Sequence, residues 1–221
     1  MIVVHHLEAS RSQRILWLLE ELDLKYEVRL YKRNPKTMLA PASLKAVHPL
    51  GKSPVITDGD TTVAETGAII EYIIEKYGEG RLIPPPGTDD RRRYTYWLHY
   101  AEGSAMPYLV MKLIFTEMPK QGPRIVAPLL RMIGNQVGEK FLDPNIATHI
   151  RFWEDSLANM LWFAGPELTG ADIMMSFPVE AANARGALRG NFPRINAFLA
   201  AAHARPAYQR ALAKGGPYPY A

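Results

Sequence analysis

No cysteine occurs anywhere in the 221 residues. Disulfide staples, thiolate metal sites and C-x-x-C redox chemistry are thereby excluded, and any thiol chemistry must use a thiol that arrives with a ligand. No apolar run approaches the ~20 residues that a membrane-spanning helix needs. The opening Met1-Ile2-Val3-Val4 reads as a strand and not as a charged stretch leading into a long apolar one. No secretory signal is expected, and a cytoplasmic location is. Excess charge of one sign is also small, at a net +4. The one dense basic run, Arg91-Arg92-Arg93, lies beside Asp89 and Asp90 and reads as a solvated helix start. Neither a nucleic-acid partner nor a bound metal is expected, whereas a mildly positive surface suits a small anionic ligand.

What is present is an ordinary globular balance, 48% hydrophobic and 22% charged, in a chain long enough for two domains of unequal size. Residues 2–6 are β-rich. From Ser12 to Leu22 the residues Ile15, Leu16, Leu18, Leu19 and Leu22 recur at helical spacing, and Ser10 with Gln13 three residues on has the capping-box pattern. Alternation from Tyr26 to Tyr31 predicts a second strand, with Tyr26, Val28 and Leu30 on one face and Glu27, Arg29 and Tyr31 on the other. The stretch 32–50 reads as a loop holding one short helix. Pro54 to Val63 reads as a hairpin turning at Asp58-Gly59-Asp60, followed by a helix from Glu65 to Tyr77. A run of prolines at 84–86 closes this unit. Beyond it, 89–116, 124–163 (interrupted near Asp143-Pro144), 172–184 and 192–214 are helical in pattern, and no convincing strand follows residue 65.

The features that can carry chemistry all lie in the first 80 residues. A helix start presents free N–H groups and a partial positive charge, so a thiolate held near Ser10 would be stabilised there; alternatively, Ser10 only caps the helix. In His48-Pro49-Leu50-Gly51-Lys52-Ser53-Pro54, a cis Pro54 could aim the preceding backbone at a peptide ligand, or the segment could be a plain loop and edge strand. Lys52 could hold a carboxylate or simply be solvated. Ala64-Glu65-Thr66 opens a helix, where the two polar residues could cap it or hold a carboxylate ligand.

Taken together, these residues resemble the glutathione transferase family. The resemblance runs through 10–22, 48–54 and Glu65-Thr66, and continues in Thr169-Gly170-Ala171-Asp172 and Arg205-Pro206-Ala207. Tyr100 to Ser104 with Pro107, and Ile173 to Pro178, look most like the bacterial and fungal branch that includes a yeast member. The resemblance implies an α/β thioredoxin-like N-terminal domain (1–80), a linker (81–88) and an all-α C-terminal helical domain (89–221) contributing an electrophile pocket. It implies reduced glutathione as co-substrate, conjugated to a hydrophobic electrophile in a detoxifying role, or reacting with a peroxide. A regulatory glutathione-binding protein and a glutathione-dependent disulfide reductase are the alternatives.

By the same resemblance, Ser53 pairs its backbone with the cysteinyl part of glutathione ahead of a cis Pro54. Lys52 meets the glycyl carboxylate, and Glu65 and Thr66 hold the γ-glutamyl end. At the catalytic position the chain departs from the family: its first tyrosine is Tyr26, and Leu7, Glu8 and Ala9 stand where serine-type members place their serine. Ser10 is the nearest hydroxyl, with Ser12 behind it and backbone groups as the other option. A homodimer is implied as well, because the aromatic residues of 94–111 point to more than one helix face; Glu102 is expected to reach the neighbour's γ-glutamyl amine. Tyr96, Tyr100, Met106, Tyr108 and Met111 could line the second pocket or be core. The tail 215–220 could fold over it or fray.

Overall fold

The computed structural model describes residues 1–221 except Lys36 and Met38, which fall in the loop expected over 32–50. Strand β1 (Ile2–Leu7) pairs in parallel with β2 (Tyr26–Tyr31), from Ile2 opposite Tyr26 to Leu7 opposite Tyr31. Its other edge pairs antiparallel with β3 (Val55–Asp58), which pairs antiparallel with β4 (Thr61–Ala64), giving the order β2-β1-β3-β4. A parallel pair needs a crossover, and α1 (Gln13–Glu21) supplies it. With α3 (Thr66–Tyr77), α1 covers the face carrying Ile2, Val4 and Ile56, while the short α2 (Ala42–Lys45) covers the opposite face through Leu44. This is a thioredoxin-like α/β arrangement.

The remainder is helical. It comprises α4 (Asp89–Tyr100), α5 (Met106–Gln121), α6 (Ala127–Val137), α7 (Asp143–Ser156), α8 (Gly170–Ala184), α9 (Pro193–His203) and α10 (Pro206–Gly215). Helix α8 is buried without interruption from Gly170 to Ala182 and sits against α1, α3 and α4. Its first residue must be small: a Cβ on Gly170 would lie 2.6 Å from Ile74 Cδ1 and 2.7 Å from Ile70 Cγ2. Helix α10 returns to α1, where Arg205 grips Glu21 through two bonds of 2.5 and 2.8 Å and Glu20 receives Arg210 and Lys214. Among the described residues no helix is long and apolar enough to cross a membrane.

Some expectations change and others are refined. The Ser10–Gln13 capping box does not form, because α1 starts at Gln13 itself and the Gln13 side-chain amide has no hydrogen-bond partner among the described residues. The helical stretch 192–214 divides into α9 and α10, since Pro206 lacks the N–H that would continue α9. The interruption expected near Asp143-Pro144 is present just ahead of it, where α6 and α7 are not one continuous α-helix. Pro144 sits in the first turn of α7, where a missing N–H is harmless, and one π-turn over Gly138–Leu142 joins α6 to α7. Tyr31 was grouped with the polar face of β2, but it is buried with Leu7 and Leu44 on the sheet's second apolar face, and Leu30 is exposed.

Candidate active site

Leu50, Gly51, Lys52 and Ser53 lead into β3 along the edge of two adjoining clefts, and the Ser53–Pro54 bond is cis. Gly51 turns this segment with a φ of +56°, a left-handed conformation that glycine adopts without penalty. The Ser53 hydroxyl is committed to β1: it donates to the His5 carbonyl (2.9 Å) and accepts from the Leu7 N–H (3.2 Å). The Ser53 backbone N–H and C=O, in contrast, have no partner among the described residues. A strand end held this way offers its amide to an extended peptide.

Beside it, Glu65 precedes α3 with φ +71° and ψ +126° and makes no side-chain cap bond. A non-glycine residue there stores strain of about 1–3 kcal/mol, and such strain gathers at ligand clamps. Thr66, the first residue of α3, accepts from Arg14 Nη2 at 3.3 Å. The wholly buried Arg14 also donates to Glu102 Oε1 (2.6 Å) and to the Met174 carbonyl of α8 (2.6 Å). Glu102 lies in a π-turn, Ala101–Ala105, between α4 and α5, and a second arginine, Arg11, reaches it at 3.1 Å. Although burial opposes its charge, these two guanidinium groups hold the Glu102 carboxyl below its usual range. Lys52, Ser53, Pro54, Glu65, Thr66 and Glu102 thus face one cavity of about 290 Å³. Glu102 faces the cavity of its own chain.

A second cavity of about 510 Å³ adjoins the first and shares Arg11, Leu50, Lys52 and Ser53 with it. Ser10 lines this one. The direction of its hydrogen bond follows from a buried chain of groups. The Gly215 carbonyl can only accept, so His6 Nε2, 3.1 Å away, carries the imidazole proton. Burial lowers the His6 pKa and keeps the ring neutral, which leaves Nδ1 as an acceptor for the Ser12 hydroxyl at 2.8 Å. Ser12 Oγ is then free to accept from Ser10 at 2.7 Å. The Ser10 proton therefore points into the protein, its oxygen accepts from the Ser12 N–H at 3.3 Å, and no donor is left for a ligand. The N–H groups of Ala9, Ser10 and Arg11 have no acceptor among the described residues. They lie in the loop between β1 and α1; the N–H groups that open α1, those of Gln13, Arg14 and Ile15, are taken by the Ser10, Arg11 and Ser12 carbonyls.

The third cavity, about 1270 Å³, opens between Leu113, Ile114 and Met118 of α5, Leu130 of α6 and the tail residues Pro217 to Tyr220. It shares Ala9, Arg33, Leu113 and Tyr220 with the second. The tail is thus folded against the clefts. Of the aromatic and methionine stripe on α4 and α5, Met106 lines the second cavity, whereas Tyr100 and Tyr108 pack on His149. Sequence reasoning quoted Arg11 and Arg14 without giving either a role. Their signal was two cations on the buried side of a helix start, where an acidic partner has to exist.

A family model described as "Glutathione S-transferase, N-terminal domain" matches residues 1–75. Over 97% of the chain and 88% of its relative, the sequence is 32% identical to glutathione S-transferase 3 of Schizosaccharomyces pombe. It is likewise 32% identical to glutathione S-transferase 1 of Saccharomyces cerevisiae, over 90% of this chain and 88% of that one. Among solved structures, a glutathione S-transferase from Actinobacillus pleuropneumoniae superposes with a TM-score of 0.79 at 34% identity, covering 97% of this chain and 93% of the other. Similarity of this extent spans both the sheet and the helices around the three cavities, and the chain belongs to the glutathione S-transferase family of enzymes.

Proposed function

We propose that this chain binds reduced glutathione along the first two cavities and joins it through its sulfur to an apolar electrophile held in the third. The observation that carries the reading is the convergence of Lys52, Ser53, Glu65, Thr66 and Glu102 on one cavity, next to a loop whose Ala9, Ser10 and Arg11 N–H groups have no acceptor among the described residues. The unpaired Ser53 amide takes the cysteinyl backbone, and Lys52 takes the glycyl carboxylate. The Thr66 end of α3 takes the γ-glutamyl carboxylate, while Glu65 and Glu102 face its ammonium group. The apolar walls of the third cavity support conjugation over a purely regulatory role. Turnover of an aryl halide, a hydroperoxide and a glutathionylated disulfide, each with and without glutathione, tests this. Conjugation of the halide is the expected result; reaction with the disulfide alone would show a reductase, and no turnover at all a binding protein.

Two substitutions of one residue separate binding from strain. Glu65→Gln keeps the strained backbone and is expected to weaken glutathione by about 1.5–3 kcal/mol, the worth of a charge-assisted bond. Glu65→Gly is expected to weaken binding as much while raising unfolding stability by about 1 kcal/mol, since glycine relieves the positive φ. Calorimetry and chemical denaturation read the two effects. Two domains divided near residues 81–88, a cytoplasmic location and a two-fold homodimer complete the proposal. Light scattering is expected to give about twice the 24.8 kDa chain mass. A monomer binding glutathione at full strength would remove the dimer.

A further inference from the structure

Three hydroxyl-bearing residues line the second cavity: Ser10, Ser53 and Tyr220. The Ser10 proton is directed at Ser12, and that of Ser53 at the His5 carbonyl. Tyr220 differs. Its oxygen accepts, at 3.5 Å, from Arg185 Nη2, and its own proton has no acceptor among the described residues.

The tail that carries Tyr220 is fastened. Tyr218 donates to Glu180 Oε2 at 2.6 Å, and the buried Glu180 also receives Tyr208 at 2.6 Å, with Pro217 and Pro219 stiffening the segment. The Tyr220 ring stands edge-on to Phe177 (5.2 Å) and Tyr218 (5.3 Å), with the Arg185 guanidinium 5.6 Å from its centre. The Phe177 ring in turn carries Arg11 at 5.4 Å and Arg14 at 5.3 Å. Tyr220 is therefore held one aromatic ring away from Arg11, which lines both of the first two cavities. It also lines the third, between the places assigned to thiol and electrophile.

We propose that Tyr220 is a catalytic residue whose phenol donates a hydrogen bond to the bound glutathione thiolate, supplying from the far end of the chain the hydroxyl that the start of α1 cannot. This rests on the glutathione site proposed above. The bound thiol releases its proton to solvent, and the sulfur anion accepts the Tyr220 O–H and the free N–H groups of the loop before α1. During conjugation the sulfur lone pair forms the new S–C bond, and the leaving group departs with its electron pair. The phenol keeps its proton throughout.

The test uses the full chain and its Tyr220→Phe variant. Glutathione affinity is measured by calorimetry, the pKa of the bound thiol by ultraviolet titration of its thiolate absorbance, and kcat/KM as a function of pH. Measured below the bound thiol pKa, affinity is expected to stay within about twofold in Tyr220→Phe, while the bound thiol pKa rises by about one unit. The acid limb of kcat/KM then falls about tenfold. An unchanged thiol pKa overturns the role. So does a Tyr220→Phe variant that loses affinity together with activity, for then the tail only closes the site. A wild-type chain that binds no glutathione removes the site and this role with it, and is distinguished because no variant is needed to see it.

Discussion

Arg14→Leu is expected to destabilise the protein by about 2–4 kcal/mol, because it removes the buried member of a half-buried ion pair and the donor shared by Met174, Thr66 and Glu102. Leucine fills part of the volume but leaves the Met174 carbonyl bare within α8 and Glu102 with Arg11 as its sole cation. Arg14 joins α1 to α3 through Thr66, to α8 through Met174 and to the π-turn through Glu102, so its loss loosens the sheet layer from the helices at the first cavity. Glutathione affinity should fall along with stability, because Thr66 and Glu102 line that cavity. Chemical denaturation is expected to show a lower midpoint with an unchanged slope. A midpoint equal to that of the wild type would mean that Arg14 does not hold the layers together.

The second large effect is expected at Asp172. Its carboxyl accepts from the Phe163 N–H (2.6 Å), the Thr169 N–H (2.8 Å) and the Thr169 hydroxyl (2.7 Å), capping the buried α8 and tying the preceding loop to it. Asp172→Ala leaves all of these buried donors without an acceptor and should cost about 3–5 kcal/mol. A pH signature accompanies the loss. Burial pushes the Asp172 carboxyl up to about 6, with the hydrogen bonds from Thr169 and Phe163 acting against it. The folded state then holds this proton at a pH where the unfolded chain has released it. The contribution of the group to stability is accordingly greatest below the ordinary carboxylate range and declines as pH rises to about 6. Thermal melts across that window should decline less steeply for Asp172→Ala than for the wild type. Parallel curves would place the titration elsewhere.

What the sequence made legible was local and periodic. Ile15, Leu16, Leu18 and Leu19 mark the buried face of α1, and the run from Pro54 to Val63 marks the hairpin, because apolar spacing and turn chemistry act over a few residues. The family motifs named the residues that share the first cavity. The backbone angle of Glu65 leaves no trace in residue type, since a strained cap looks like any polar residue before a helix. Ser10 was harder still. Its proton is directed through Ser12 and His6 to the carbonyl of Gly215, and the last link joins positions 209 apart in sequence. Tyr220 shares a cavity with Ser10 for the same long-range reason, as the tail is pinned by Glu180 of α8. The π-turn at 101–105 continues its helix in sequence pattern, so nothing local announced it, whereas the one at 138–142 lies beside the interruption read at Asp143-Pro144.

The most direct test of the account is a calorimetric titration of the full chain with reduced glutathione, repeated with cysteinylglycine, which lacks the γ-glutamyl group. Saturable binding of one glutathione per chain is predicted. Cysteinylglycine should bind at least about tenfold more weakly, because Glu65, Thr66 and Glu102 lose their ligand. Equal affinity for the two peptides, or no binding of either at millimolar concentration, would contradict it.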